Sequence, residues 1–181
     1  MMDPALIDFR RMTMDDLPLL HRWLQTPHVL EWWWGGVAPP YEAVAEKYGP
    51  DIRGEEPTAC YLILYAGNAI GYIQTYRISD YPEYAAAVGA DEEAAGVDLL
   101  IGEEEYLHKG LGSHILRRFL RAIVFAADDI ASCIIGPSEA NTIAIRAYEK
   151  AGFRFFKTIP SANEPTPEYL MRLARDELRD E

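Results

Sequence analysis

Asp98 interrupts an otherwise apolar run, Val97, Leu99, Leu100 and Ile101. Such a run reads as a largely buried strand, and burial penalises an ionised carboxylate unless it is paired or wet. An acid there favours chemistry over packing, because it can attract a cationic amine and accept its proton. Further on, His108-Lys109-Gly110-Leu111-Gly112-Ser113 turns into a segment with Ile115, Leu116, Phe119, Leu120 and Ile123 on one side. His114, Arg117, Arg118 and Arg121 fall on the other, which is helical spacing. Strand, glycine turn and helix together present unpaired backbone N–H groups and a positive helix end to an anion, and glycine lets a phosphate come close. The turn is not a mononucleotide P-loop, since Lys109 precedes Gly110, nor a dinucleotide fingerprint, since Ile115 stands where a third glycine belongs. Alone it is equally an ordinary strand-to-helix connection. A second helix is predicted between Asn141, a good N-cap, and Gly152, a good C-terminal cap. It sets Ile143, Ala144, Ala147, Tyr148 and Ala151 on one face, so the plain reading of Tyr148 is a core aromatic.

The elements that must position these residues can be read along the chain. Ile7 to Arg11 reads as a first strand, and Thr13 with Asp16 forms a variant capping box that starts a helix. Its stripe is Leu17, Leu20, Trp23 and Leu24, and Pro27 stops it. Trp32, Trp33 and Trp34 then precede Gly35-Gly36; three consecutive tryptophans cannot all face one core, so either at least one lies near a binding surface or two pack inside and one covers an edge. A short helix is expected from Pro40 to Tyr48, with Tyr41, Val44, Ala45 and Tyr48 on one side. Ala59 to Ile78 reads as a hairpin turning at Gly67-Asn68. Ser79 to Ala95 reads as a long acidic loop holding Asp80, Glu83, Asp91, Glu92 and Glu93 with Tyr81 and Tyr84, either solvated or a binding element. Ser132 to Ile135 supplies another strand. A last hairpin joins Phe153–Ile159 to Tyr169–Leu173 across a Pro-rich loop containing Glu164, and a charged end comes after it.

The 181 residues suit one domain, 1–181, of ordinary globular composition, 49% hydrophobic and 25% charged. No signal segment or membrane span is visible. Cys60 and Cys133 sit in apolar runs and read as buried free thiols suited to a reducing cytoplasm, and His21 and His28 are too far apart in sequence for a zinc pair, so no metal is expected. With 29 acidic residues against 17 basic, the formal charge of −12 disfavours nucleic acid and anionic membranes as partners. Acidity of that size either attracts a cation or merely keeps the protein soluble.

The glycine turn after the Asp98 strand resembles motif A of the GCN5-related N-acetyltransferases (GNAT), with Leu107 where Gln or Arg is usual. Asn141 to Phe153 resembles that family's second signature. The resemblance narrows further. His28-Val29-Leu30-Glu31-Trp32-Trp33, Gly71-Tyr72-Ile73-Gln74 with Tyr76, Val97-Asp98, Lys109 to Gly112 and Ala144 to Phe153 are similar to aminoglycoside 6'-N-acetyltransferases, which acetylate kanamycin-like drugs and confer resistance.

The resemblance implies an α/β (α+β) fold, a mixed, mostly antiparallel sheet splayed at the central strand and flanked by helices. It implies acetyl-CoA as the acetyl donor, held by Leu99, Leu100, Ile101, His108, Lys109, Gly110, Leu111, Gly112, Ser113, Asn141 and Ala144. By the same resemblance Asp98 is the general base, and Tyr148, protonated at neutral pH with an ordinary pKa near ~10, donates to the departing thiolate. The cationic acceptor it implies meets Trp32, Trp33, Tyr76, Asp80, Glu83, Tyr84, Asp98 and Glu164. No covalent intermediate is needed, and no base is paired with Cys133. The chain departs from the subgroup at Gly136, where an Asp is usual, and at Ala85 and Ala86, where tryptophans are. Other readings within the family are a hydroxylysine-type siderophore precursor or a protein N-terminus as acceptor, and outside it a non-catalytic acyl-CoA-binding regulator. The sequence does not set the oligomeric state.

Overall fold

A computed structural model describes residues 2–162 and 165–178. Its strands are β1 (Ile7–Arg11), β2 (Ala59–Tyr65), β3 (Asn68–Arg77), β4 (Ala94–Ile101), β5 (Ser132–Ile135), β6 (Arg154–Ile159) and β7 (Glu168–Ala174). The helices are α1 (Leu17–Trp23), α2 (Pro27–Leu30), α3 (Tyr41–Arg53), α4 (Pro82–Val88), α5 (Leu111–Ala122) and α6 (Thr142–Ala151). The strands hydrogen-bond in the order β1-β2-β3-β4-β5-β7-β6. β1–β2, β5–β7 and β6–β7 are antiparallel, while β4–β5 is parallel. This is the mixed, mostly antiparallel, helix-flanked class expected. Pairing joins Ala94, Ala95 and Gly96 to Ser132, Cys133 and Ile134 and stops before Asp98, which is the splay at the central strand. The residues cluster into two compact units, one holding the chain up to Gln74 with Leu99–Lys109, the other Thr75–Asp98 with the chain from Gly110 on.

In the first unit, the Asp16 carboxylate accepts from the Thr13 backbone N–H (2.8 Å) and hydroxyl (3.2 Å) and closes a short 3-10 turn, after which α1 begins at Leu17. The expected stripe is fully buried: Leu17, Leu20, Trp23 and Leu24 are each 0% exposed. Each contributes roughly 1.5–3 kcal/mol as an upper estimate. Pro27 does not end this helix. α1 stops at Trp23, whose carbonyl accepts from the Thr26 hydroxyl (2.7 Å), and Pro27 opens α2 from its first turn, where its missing N–H costs nothing. The helix expected to end at Tyr48 runs on to Arg53, carrying Pro50 inside it, and stops at Gly54 with φ +74. The hairpin turns one residue earlier than expected. Ala66 (φ +49) and Gly67 (φ +82) form the two-residue turn between Tyr65 and Asn68, the primed geometry that matches strand twist.

In the second unit, the stretch expected as an open loop contains α4. Pro82 sits in its first turn with Glu83, and Gly89 at φ +61 caps its end, donating to Ala85 at 2.8 Å. The Pro and Gly are helix punctuation rather than loop composition. β4 accordingly starts at Ala94. Two acids from that stretch are structural: Glu92 binds the Ser132 hydroxyl and Arg172 (2.8 Å each), and Glu93 binds Ser79 (2.7 Å) and Arg77 (3.3 Å). α5 buries Ile115, Leu116, Phe119 and Leu120 as its spacing requires. α6 departs from expectation, because only Ala151 on it is buried and Ile143 is 65% exposed. Its side toward α5 is lined by small residues, with a Cβ at Gly112 only 3.5 Å from that of Ala147, and Arg117 donates to the Lys150 carbonyl at 2.8 Å. The last hairpin is present as β6 and β7.

Candidate active site

Asp98 stands half-buried on β4 after four buried residues, Ala94 to Val97. Its charge acts on Tyr76, Tyr84, Cys133, Tyr148 and Glu168, so five ionisable side chains from five elements gather around it. Tyr76 lies across Gly96. A Cβ on that glycine would stand 2.3 Å from the tyrosine ring, far inside contact distance, so the ring reaches this place only because position 96 has no side chain. Tyr76 meets Tyr81 edge-on (5.3 Å between centroids) and lies 6.4 Å from Tyr84, and its hydroxyl is hydrogen-bonded to that of Tyr84. Beneath them Ile78, Val88, Ala94, Ile134, Ile159 and Leu170 form the apolar cluster that fixes both rings. Burial first, and the Asp98 charge second, push both phenols well above their ordinary pKa.

Tyr148 comes from α6, where its ring is tilted against Phe153 at 6.4 Å. Its side chain is half-buried. Burial, then the Asp98 charge, raise its pKa well above the tyrosine range, so the hydroxyl stays a proton donor. The core reading of Tyr148 gives way to one in which a partly exposed phenol is brought to the acid. Cys133 is fully buried and free, and burial followed by the Asp98 charge pushes its thiol strongly upward, which leaves it unsuited to be a nucleophile. Cys60 is likewise buried, raised to about 11, and bonded to the Tyr72 hydroxyl at 3.1 Å.

The acid that sequence reasoning missed is Glu168, the first residue of β7. It is half-buried and hydrogen-bonded to the Ser161 and Tyr84 hydroxyls, and burial with the Asp98 charge lifts its pKa to about 7. Its Oε2 lies 2.9 Å from the position of a Cβ on Gly136. Only the strand register reveals that pairing, because positions 136 and 168 are far apart in sequence; an acid opening a strand was the one local signal.

The glycine turn before α5 is formed as expected. Gly110 caps α5 in the left-handed region (φ +79), with nothing within 4 Å of the place its Cβ would take, and His108 is also left-handed (φ +57). No side chain caps this helix and no acid lies in its first turn, so the N–H groups of Leu111, Gly112 and Ser113 suit a phosphate. His108 and Lys109 are exposed. Asn141 caps α6, its Oδ1 accepting from Ala144 N–H at 3.1 Å, which leaves its amide N–H₂ to serve a ligand.

The remaining expected residues are placed less decisively. Asp80 and Glu83 are exposed around the start of α4. Glu164 lies outside the described residues. In the other unit Trp32 and Trp33 are half-buried, Trp33 meeting Tyr72 edge-on at 6.3 Å, and the carbonyl of Ile101 is 3.1 Å from His28 Nε2. Leu99 and Leu100 continue β4 beyond its pairing with β5. Among the described residues no group of three His, Cys, Asp or Glu could hold a metal ion, and no helix is long and apolar enough to cross a membrane.

A family model described as an acetyltransferase (GNAT) domain matches residues 12–160. Aminoglycoside N(6')-acetyltransferase type 1 of Klebsiella pneumoniae is 33% identical over 160 residues, 88% of this chain and 79% of that protein. The structure of AAC(6')-Ib with ribostamycin and coenzyme A is 31% identical, with a TM-score of 0.79 over 94% of both chains. A structure of the same enzyme with coenzyme A and kanamycin is 30% identical, covering 94% of this chain and 96% of that one at a TM-score of 0.78.

Proposed function

We propose that this chain, which belongs to the GNAT acetyltransferase family, transfers the acetyl group of acetyl-CoA to the 6'-amine of an aminoglycoside. The observation that carries the reading is the convergence on Asp98: an acid for the incoming amine and a protonated phenol, Tyr148, within range of the same charge. Support for the acceptor class comes from the relatives, two of whose structures hold ribostamycin or kanamycin with coenzyme A, and from the charge of −12. Both units are taken as one acetyltransferase domain acting in the cytoplasm, a setting that suits two free thiols.

The chemistry divides into proton removal, charge stabilisation and proton return. An amine attacks a thioester only when neutral, so the Asp98 carboxylate draws in the ammonium group and takes its proton, directly or through water. The nitrogen then bonds to the thioester carbon. Backbone N–H groups of Leu99 and Leu100, on the part of β4 past its β5 pairing, are the proposed donors to the oxygen as it gains charge. As the carbon–sulfur bond breaks, Tyr148 gives its proton to the thiolate, and the second proton of the newly bonded nitrogen passes, directly or through water, to the tyrosinate, leaving the neutral amide. Gly110 to Ser113 at the start of α5, with Lys109 before them, hold the pyrophosphate. Tyr76, Tyr84, Trp32, Trp33, Asp80, Glu83 and Glu164 are assigned to the acceptor.

Thiol release from acetyl-CoA by the purified protein tests this. Rapid release is expected with kanamycin, and none with an aminoglycoside bearing a hydroxyl at the 6' position. Release with hydroxylysine or a short peptide instead would retain the cofactor and overturn the acceptor.

A further inference from the structure

Glu168 is held where a substrate could meet it. Ser138 bridges to it, Ile159 pairs with it across the hairpin, and Tyr169 N–H donates to the Pro137 carbonyl at 2.8 Å, so the start of β7 is tied to the segment that leaves β5. A Cβ on Gly136 would lie 2.9 Å from Glu168 Oε2, 2.9 Å from Leu170 Cδ2 and 3.7 Å from the Tyr84 hydroxyl. The carboxyl therefore occupies the space that any side chain at 136 would claim. Its hydroxyl neighbours, Tyr84 and Ser161, are hydrogen-bond partners that orient a carboxylate without neutralising it. Among the described residues the one charged group acting on it is Asp98, which repels it.

We propose that Glu168 binds the acceptor: its carboxylate holds an ammonium group other than the one that reacts at Asp98, and it reaches that place because position 136 is glycine. This rests on the acetyl-transfer reading above and specifies the acceptor as a small molecule with at least two ammonium groups. Two acids within range of each other's charge, one for the reacting nitrogen and one for a neighbour, bind a diammonium and repel a lone anion. Burial first, and the Asp98 charge second, raise the affinity of Glu168 for a proton, and an ammonium ion would relieve that repulsion as a proton does.

The test compares full-length wild type with Glu168→Gln, which keeps shape and removes charge, and with Gly136→Ala, which keeps the carboxyl but displaces it. Kanamycin and methyl 6-amino-6-deoxyglucoside, which has the reacting amine alone, serve as acceptors at saturating acetyl-CoA. Both variants should raise KM for kanamycin tenfold or more with kcat within about threefold, leave acetyl-CoA KM unchanged, and alter kcat/KM for the monoamine less than twofold. Calorimetric titration of kanamycin into CoA-saturated protein, which needs no turnover, should show the same tenfold weakening. Equal losses on both sugars would reduce Glu168 to a support for Tyr84 and overturn the proposal, as would an unchanged kanamycin KM and Kd. If wild type binds kanamycin without acetylating it, the reaction assigned above fails while a tenfold loss in Glu168→Gln still upholds the ammonium site. If wild type does not bind kanamycin, the same titration with spermidine decides. Weakening confined to the variants upholds a polyammonium site with a different acceptor, and no binding overturns it.

Discussion

Asp98 and Tyr148 are proposed to move protons in opposite directions, so their removal should be distinguishable. Asp98→Asn should lower kcat by roughly 10²–10⁴-fold while acetyl-CoA still binds with wild-type Kd, because the amide cannot take the proton. An unchanged kcat would sink the base assignment. Tyr148→Phe removes a hydroxyl that burial keeps protonated. A loss of about a hundredfold in kcat is expected, smaller with a thioester whose thiol is a better leaving group, and the absence of that leaving-group effect would count against the acid role. Glu168 makes a stability prediction as well. Its folded pKa, about 7, lies above the ordinary glutamate value of about 4.3, so the folded chain binds this proton more tightly than the unfolded one. Its contribution is therefore full below about pH 4.3 and lost as pH rises through about 7. After discounting for the solvent that reaches the side chain, the loss is on the order of 1–2 kcal/mol. Urea unfolding at pH 5 and pH 8 should show Glu168→Gln losing less stability than wild type over that interval, and parallel losses would refute the shift.

At the scale of elements, the site depends on where side chains are missing. β4 can pass under Tyr76 only as glycine at 96, where a Cβ would come within 2.3 Å of the ring. Gly96→Val should therefore destabilise the fold by about 1–3 kcal/mol through overpacking, and should raise acceptor KM by displacing Tyr76. Denaturant midpoint and acceptor KM measured on the same preparation check both; a stable variant with wild-type KM would show that the ring has another place to go. The same logic separates the two readings of the acidic stretch before β4. Glu92 and Glu93 are consumed by Arg172 and Arg77, so they staple the start of β4 rather than bind a cation. Partly exposed ion pairs of this kind contribute little individually.

For the whole molecule, a charge of −12 makes salt the relevant variable. A polycationic acceptor is attracted over a Debye length that shrinks from ~30 Å at about 0.01 M salt to ~8 Å at about 0.15 M. Acceptor KM should accordingly rise severalfold over that range, while KM for the anionic acetyl-CoA should not rise in parallel. Equal salt dependence for the two substrates would leave acidity as a matter of solubility alone. Cys60 and Cys133 add nothing to catalysis on this view, since both thiols are buried with raised pKa values.

The residues alone determined β1 and β5 to the residue, the α5 stripe and the glycine-opened turn at its start, and singled out Asp98 as the acid proposed for the site. These are local properties: alternation, helical period, caps and one charge out of place in an apolar run. The family resemblance supplied the cofactor and the pairing of Asp98 with Tyr148, which spacing alone had read as core. Only the tertiary structure decided that Ile143 is exposed, that a Pro–Gly-bounded helix α4 carries Tyr84, and that Glu168 lies over Gly136. Those facts depend on strand register and on which helix lies against which. Side chains distant in sequence meet only after packing chooses a partner for each face, so no window of residues contains them.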